Sequence, residues 1–157
     1  MKLNDKCYNL IKQFEGYSDR PYLCPAGIPT IGFGNTYYPN GVKVKLTDKQ
    51  ITRDYANEML AFVADNFAKE VLKLVTSVIT QNQLNALTAF AYNVGIGKNI
   101  PNFRSGLAAS TLLKKINANP NDPSIKEEFL KWNKSNGKIL QGLINRRRAE
   151  ANLYFEI

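Results

Sequence analysis

FEGYSDRPYLCPAGIPTIGFGNT, residues Phe14 to Thr36, decides how the rest of this 157-residue chain is read. It opens where an apolar helical pattern ends: Leu3, Cys7, Leu10, Ile11 and Phe14 recur at the spacing of one helix face. A carboxylate, Glu15, closes that pattern. A thiol, Cys24, and a hydroxyl, Thr30, follow at intervals of eight and five residues, among the turn-formers Pro21, Pro25, Gly27, Pro29, Gly32 and Gly34. Pro21-Tyr22-Leu23, Thr30 to Phe33 and Val42 to Leu46 read as short strands, the last alternating Val42, Val44 and Leu46 with lysines. Three such strands predict a small antiparallel sheet.

Beyond Leu46 the pattern turns helical. Thr47-Asp48-Lys49-Gln50 has the form of a capping box ahead of Ile51, Tyr55, Met59, Phe62 and Val63, which predicts a helix from Thr47 to about Leu74. Thr80 and Gln83 form a second box before Leu84, Leu87, Phe90 and Ala91, in a helix ending near Gly95. Short helices are expected over 107–117 and 123–133, the latter with Asp122 as N-cap and Pro123 in the first helical position. Asn136-Gly137 marks a turn before a last helix over 142–154. The expected class is α+β in a single domain. A sheet lobe spans about 16–46, and a mainly helical lobe spans about 47–157 together with the first helix.

Composition narrows the chemistry. Hydrophobic residues make up 44% of the chain, enough for a core at this length. Lys and Arg number 21 against 13 Asp and Glu, a net charge of +8, so an anionic partner surface is expected. Nucleic acid, acidic membrane and cell-wall polymer all meet that condition, but no recognised nucleic-acid motif is present and the basic residues are spread along the chain. Two cysteines do not make a disulfide framework, and Cys7 reads as a small buried hydrophobe on the first helix. Histidine is absent, which removes Ser-His-Asp and Cys-His catalysis and the usual zinc ligand sets. If the chain is a hydrolase, its chemistry has to run on carboxylate, thiol, hydroxyl and water, and no cofactor or metal is expected. The opening residues carry no apolar run of export-signal length, and no segment reaches the roughly 20 apolar residues of a membrane span. A protein made in the cytoplasm is expected.

The Glu15, Cys24 and Thr30 spacing resembles the catalytic pattern of phage-type lysozymes, glycoside hydrolase family 24, in a form with Cys where many members have Asp. Gln83 to Gly95 (QLNALTAFAYNVG) looks like the family's central helix, and Ser110 to Asn117 (STLLKKIN) is similar to another of its segments. Phe129 to Tyr154 resembles the C-terminal part, with Trp132, Gly142, Leu143, Arg146, Arg147 and Glu150 at matching positions. The resemblance implies a lysozyme-like fold with a cleft between the lobes. It also implies an endolysin that cleaves the β-1,4 bond between N-acetylmuramic acid and N-acetylglucosamine in peptidoglycan. Such a protein acts as a monomer at the wall, after a separate holin-type protein has opened the host membrane.

Glycosidic cleavage needs a proton donor for the leaving oxygen and a group that handles water on the opposite face of the sugar. Glu15 is the donor implied by the resemblance; held near neutral pH, its proton requires burial to raise it above the ordinary value of about 4.3. Cys24 stands in the place of the second carboxylate, where its uses are a base that holds water for inversion, a nucleophile for a covalent thioglycoside route, or a small buried turn residue; Thr30 supplies a hydroxyl for the water or the sugar. Asp19 is the rival second carboxylate, with a turn or a pairing to Arg20 as its alternative use. Gly32 and Phe33 would let a strand approach the glycan, and Tyr92, Asn93 and Gly95 would line the cleft opposite, while packing in the core is the other use open to Phe33 and Tyr92. Arg146 and Arg147 would bring a guanidinium to Glu15, or else form a solvated basic face with Arg148. Two other function classes stay open on sequence: an idle wall-binding module, and a membrane-active protein built on the basic C-terminal helix.

Overall fold

The computed structural model describes all 157 residues. Helix α1 spans Asp5–Glu15, capped by Asn4, whose side chain accepts the Lys6 N–H. The same Asn4 oxygen accepts from the Asn85 amide at 2.7 Å, so the cap of α1 is also tied to the middle of the molecule. Strands β1, Ser18–Leu23, and β2, Pro29–Gly32, follow as an antiparallel ribbon with Tyr22 opposite Thr30 and Leu23 opposite Pro29.

The three-stranded sheet expected over 17–46 is therefore two-stranded. Val42 to Leu46 contributes one bridge, Tyr37 opposite Lys43, closed by two backbone bonds, from the Val44 N–H to Thr36 and from the Tyr38 N–H to Val42. Val44 is buried with Ile31 and Met59, whereas Val42 and Leu46 are exposed. The alternation that reads as a half-buried strand delivers a single anchor instead of a face.

Helix α2 spans Arg53–Leu74 and is capped by Thr52, whose hydroxyl accepts the Tyr55 N–H, five residues later than the Thr47 box predicts. The polar groups around Thr47 are drawn into other bonds. Asp48 accepts the Lys45 N–H and the Tyr38 hydroxyl, and the Gln50 amide donates to Asp19. The second box forms as read: Thr80 and Gln83 satisfy each other's backbone N–H groups at the start of α3, Gln81–Val94.

Helix α3 is the centre of the molecule. Every residue from Gln83 to Ala91 is buried, and α1, α2 and α6 (Gln141–Phe155) pack around it, α6 most extensively. Phe90 sits edge-on to both Phe129 and Trp132, joining α3 to the C-terminal elements. A second cluster joins Cys7 and Ile11 of α1 to Phe33, Leu60 and Ala89, which holds the β1–β2 segment against the helices.

The remaining elements are short. A hairpin, β3 (Lys98–Ile100) with β4 (Phe103–Ser105), was not legible in the sequence, and a 3-10 turn over Leu107–Ala109 leads from it into α4, Thr111–Ala118. Helix α5, Ile125–Leu130, begins later than Pro123: Asp122 caps a preceding turn through the Ser124 N–H instead of capping the helix. Asn136 and Gly137, both at positive φ, turn the hairpin of β5 (Lys134–Ser135) and β6 (Lys138–Ile139).

The two boxes make a direct comparison. Thr80→Ala is expected to lower unfolding free energy by about 1 kcal/mol, the usual loss for a removed N-cap. Thr47→Ala, at a position that caps nothing, is expected to change it by less than about 0.5 kcal/mol. Urea unfolding of both variants checks the pair.

Candidate active site

Glu15 is the last residue of α1, where Gly16 at φ +70° turns the chain toward the ribbon. Its side chain is about one-fifth exposed, and one carboxylate oxygen, Oε1, accepts from Arg146 Nη1 at 2.8 Å. The other faces the backbone of Gly34. A Cβ on Gly34 would stand 2.9 Å from Glu15 Oε2, and Gly34 holds φ +78°, so glycine is required there twice over. The two ends of the quoted stretch thus meet at the carboxylate.

Arg146 comes from α6, which carries charge into the interior. Arg146 is 5% exposed, and Arg147 and Glu150 are not exposed at all. Glu150 Oε1 accepts from Arg146 Nε at 3.2 Å and from Arg147 Nη2 at 3.0 Å, while Oε2 lies 2.8 Å from Arg147 Nε. Arg147 Nη2 also donates to Asn93 Oδ1 at 2.7 Å. Burial pushes the Glu150 carboxyl up to about 7, opposed by Arg147 and then Arg146, and burial likewise draws Arg147 down to about 10. With three guanidinium nitrogens within 3.2 Å, the carboxylate is the form this geometry fits. The expectation of a solvated arginine face holds only for Arg148, which is exposed.

Cys24 and Thr30 are brought together by the ribbon. Cys24 begins its tight end, where its N–H donates to the Ile28 carbonyl and its own carbonyl accepts the Gly27 N–H. The thiol is held below its ordinary range, chiefly by the Ile28 N–H, with the Ala26 N–H and the Thr30 hydroxyl adding to it. Thr30 is buried, and its hydroxyl also reaches the Ile28 carbonyl at 2.9 Å. Cys7 sits in the opposite environment. Fully buried on α1, its thiol is pushed up to about 12 by desolvation and by Asp65.

The other expected residues divide. The Phe33 ring is 2% exposed, packed against Tyr17 with Lys12 over its face, so the ring belongs to the core. Its backbone carbonyl accepts the Tyr92 hydroxyl at 3.0 Å, which ties α3 to the segment after β2. Burial raises the Tyr92 phenol above its ordinary value, so it stays a donor. Gly32 lies on β2 beside Asn35, whose side chain accepts the Phe33 N–H. Gly95 caps α3 and accepts from Leu107; with Gly97 and Gly106 it forms a close backbone crossing behind the helix end. Asp19 is held by Gln50 and contributes its carbonyl to the Ile51 N–H.

A groove of about 220 Å³ adjoins Gly34, walled by Tyr37, Val63, Phe67 and Tyr92. Val63 and Phe67 lie one helical turn apart on α2, a spacing that in sequence marks only a packing face. No three acidic or thiol side chains converge as a metal-holding group. Of the residues at this centre, Glu150 is the one the sequence did not single out as part of a site, because an acidic residue among arginines on a helix reads as a surface ion pair.

The chain's relatives agree with this architecture. It is 37% and 38% identical to the endolysins of Bacillus phages B103 and PZA over 98% of its own length, and it spans about half of theirs, 54% and 55%. The structure of an endolysin from Escherichia coli O157:H7 phage FAHEc1 superposes with a TM-score of 0.85 at 35% identity, covering 99% of this chain and 94% of that one. That of a P22 lysozyme mutant gives 0.82 at 29% identity, covering 99% of each. Residues 12–150, from α1 through Glu150, match the phage lysozyme family model, and the chain belongs to that family.

Proposed function

We propose that this chain is an endolysin that hydrolyses the β-1,4 bond between N-acetylmuramic acid and N-acetylglucosamine in peptidoglycan. The observation that carries the reading is the presence of two unlike groups on successive elements. A carboxyl at the end of α1 is steered by Arg146, and the ribbon that follows presents a thiol whose ionised form is favoured by N–H donors. In the proposed reaction Glu15 donates its proton to the glycosidic oxygen as that bond breaks. A water held by Cys24 and Thr30 attacks the sugar carbon from the opposite face, and Cys24 accepts the water's proton, giving inversion. The lowered thiol supports this role, since a base must be partly ionised at the working pH.

The groove beside Gly34 and Tyr92, with the amide of Asn93, is the proposed seat of the glycan. Gly32 and Phe33 contribute to it through backbone, and Gly95 by ending α3 there. Arg146 and Arg147 support the acid and the amide. The proposal includes a monomer that meets peptidoglycan after a separate holin-type protein has opened the membrane. No helix of the chain is long and apolar enough to cross a membrane itself. A membrane-active C-terminal helix has no support, because α6 spends its sequence on the core and on buried charge.

Glu15→Gln is expected to keep the fold and lose about 10²–10⁴-fold in wall-clearing rate, the usual worth of a general acid. Turbidity of peptidoglycan suspensions, with the melting midpoint measured alongside, tests it. Near-normal clearing by the folded variant removes the reading, and an inactive wild-type protein that still sediments with walls leaves a binding module.

The thiol gives a second test with a definite sign. Because Cys24 is held low, activity should fall as pH drops through its titration and the thiolate takes up a proton. Cys24→Asp should stay active and carry the acid limb to lower pH, and Cys24→Ala should lose most activity. Maleimide should inactivate the protein through Cys24 while Cys7→Ser stays equally sensitive. An alkylation-resistant, fully active Cys24→Ala protein excludes the thiol.

A further inference from the structure

We propose that Glu150 is a positioning residue for this hydrolysis: from a place no substrate reaches, its carboxylate sets Arg146 against Glu15 and Arg147 against Asn93. The inference rests on the hydrolase reading above. Glu150 is 0% exposed, so it cannot touch glycan or water in the cleft. Its reach is through two planar forks. A guanidinium held at Nε has its Nη atoms fixed in direction. Arg146, held at Nε at 3.2 Å, aims Nη1 at Glu15 Oε1 at 2.8 Å. Arg147, bonded to Glu150 through Nη2 and ion-paired with it at Nε, shares Nη2 with Asn93 Oδ1 at 2.7 Å. One carboxylate thereby orients a group on α1 and a group on α3.

Alternatives to this support are missing around the arginines. The Phe14 ring lies 5.8 Å from the Arg146 guanidinium and the Phe90 ring 4.9 Å from that of Arg147, so apolar faces flank both. No other carboxylate pairs with Arg147. Charge makes the second part of the argument. The charged groups facing Glu150 are Arg146 and Arg147 on its own helix and Glu15 from α1, with the Tyr92 phenol of α3 set against Glu15 and Arg146. Two cations thus meet two carboxylates. Without the charge on Glu150, both cations act on Glu15 alone and hold its proton-free form to lower pH, where it cannot serve as donor.

Glu150→Gln tests this, because the amide keeps the volume and can bridge one arginine but carries no charge. On soluble uncrosslinked glycan chains, kcat is expected to fall about 10- to 100-fold, the worth of a buried charge-assisted hydrogen bond. The basic limb of the pH–rate profile should move to lower pH. Glu150→Asp should return the limb to its wild-type position while recovering part of the rate. A folded Glu150→Gln protein with wild-type kcat and an unmoved limb overturns the proposal. So does a rate loss with an unmoved limb that only tracks the drop in melting midpoint, which marks a purely structural ion cluster. Should the Gln variant not fold, Glu150→Asp carries the test: a lowered kcat with the limb in place supports positioning, and an unchanged kcat overturns it. Failure of the hydrolase reading looks different, since then the wild-type chain releases no new reducing ends or Glu15→Gln releases them at the normal rate.

Discussion

Two guanidiniums and a carboxylate buried on one helix set the terms for the rest of this molecule. Removing an ion from water costs several kcal/mol even after relaxation, so each must find a partner of opposite charge or a strong dipole inside. On α6 the arginines draw further partners from elsewhere: Asn93 at the end of α3 accepts from Arg147, and Glu15 at the end of α1 accepts from Arg146. Helix ends are where the chain can turn and leave a side chain facing a cleft. The arrangement therefore draws the ends of α1 and α3 to one point, and Gly34 completes it by letting backbone lie against the acid where any Cβ would collide.

Cysteine shows how far environment outweighs residue type here. Cys7 and Cys24 begin with the same intrinsic acidity and are driven in opposite directions, one by loss of water and the nearby Asp65, the other by N–H donors at a hairpin turn. A ribbon end supplies such donors because its backbone N–H groups are not all used by the ladder. The tight end of β1 and β2 thus favours the ionised form of a thiol that burial elsewhere in the chain would suppress.

Much of this could be read from the chain, and the failures have physical causes. The helix around Gln83 to Gly95 was legible because its capping box and its apolar spacing agree with each other, and the fold obeys both. The Thr47 box was misread because local pattern cannot see competitors: Asp48 and Gln50 serve Lys45, Tyr38 and Asp19, which leaves Thr52 to cap α2. The third strand failed because alternation of Val42, Val44 and Leu46 says which side a residue could face, while burial depends on whether a partner surface exists there. At the candidate site, the structure brings Cys24 and Thr30 together on the ribbon and sets Glu15 against Gly34 and Arg146. Glu150 escaped because its meaning lies in contacts with residues on other helices, and the buried state of its neighbours is invisible in a run of three arginines.

The bond between Arg146 and Glu15 joins residues 131 positions apart. A ribosome adding about 5–20 residues each second needs on the order of ten seconds to travel that distance. During that interval α1 and then the ribbon are made, but the guanidinium that pairs with Glu15 is still to come. A nascent chain thus lacks the ion-pair network that joins α1, α3 and α6 until α6 docks onto α3. Order of synthesis therefore makes this network one of the last features of the fold to form, because its arginines lie on the last helix.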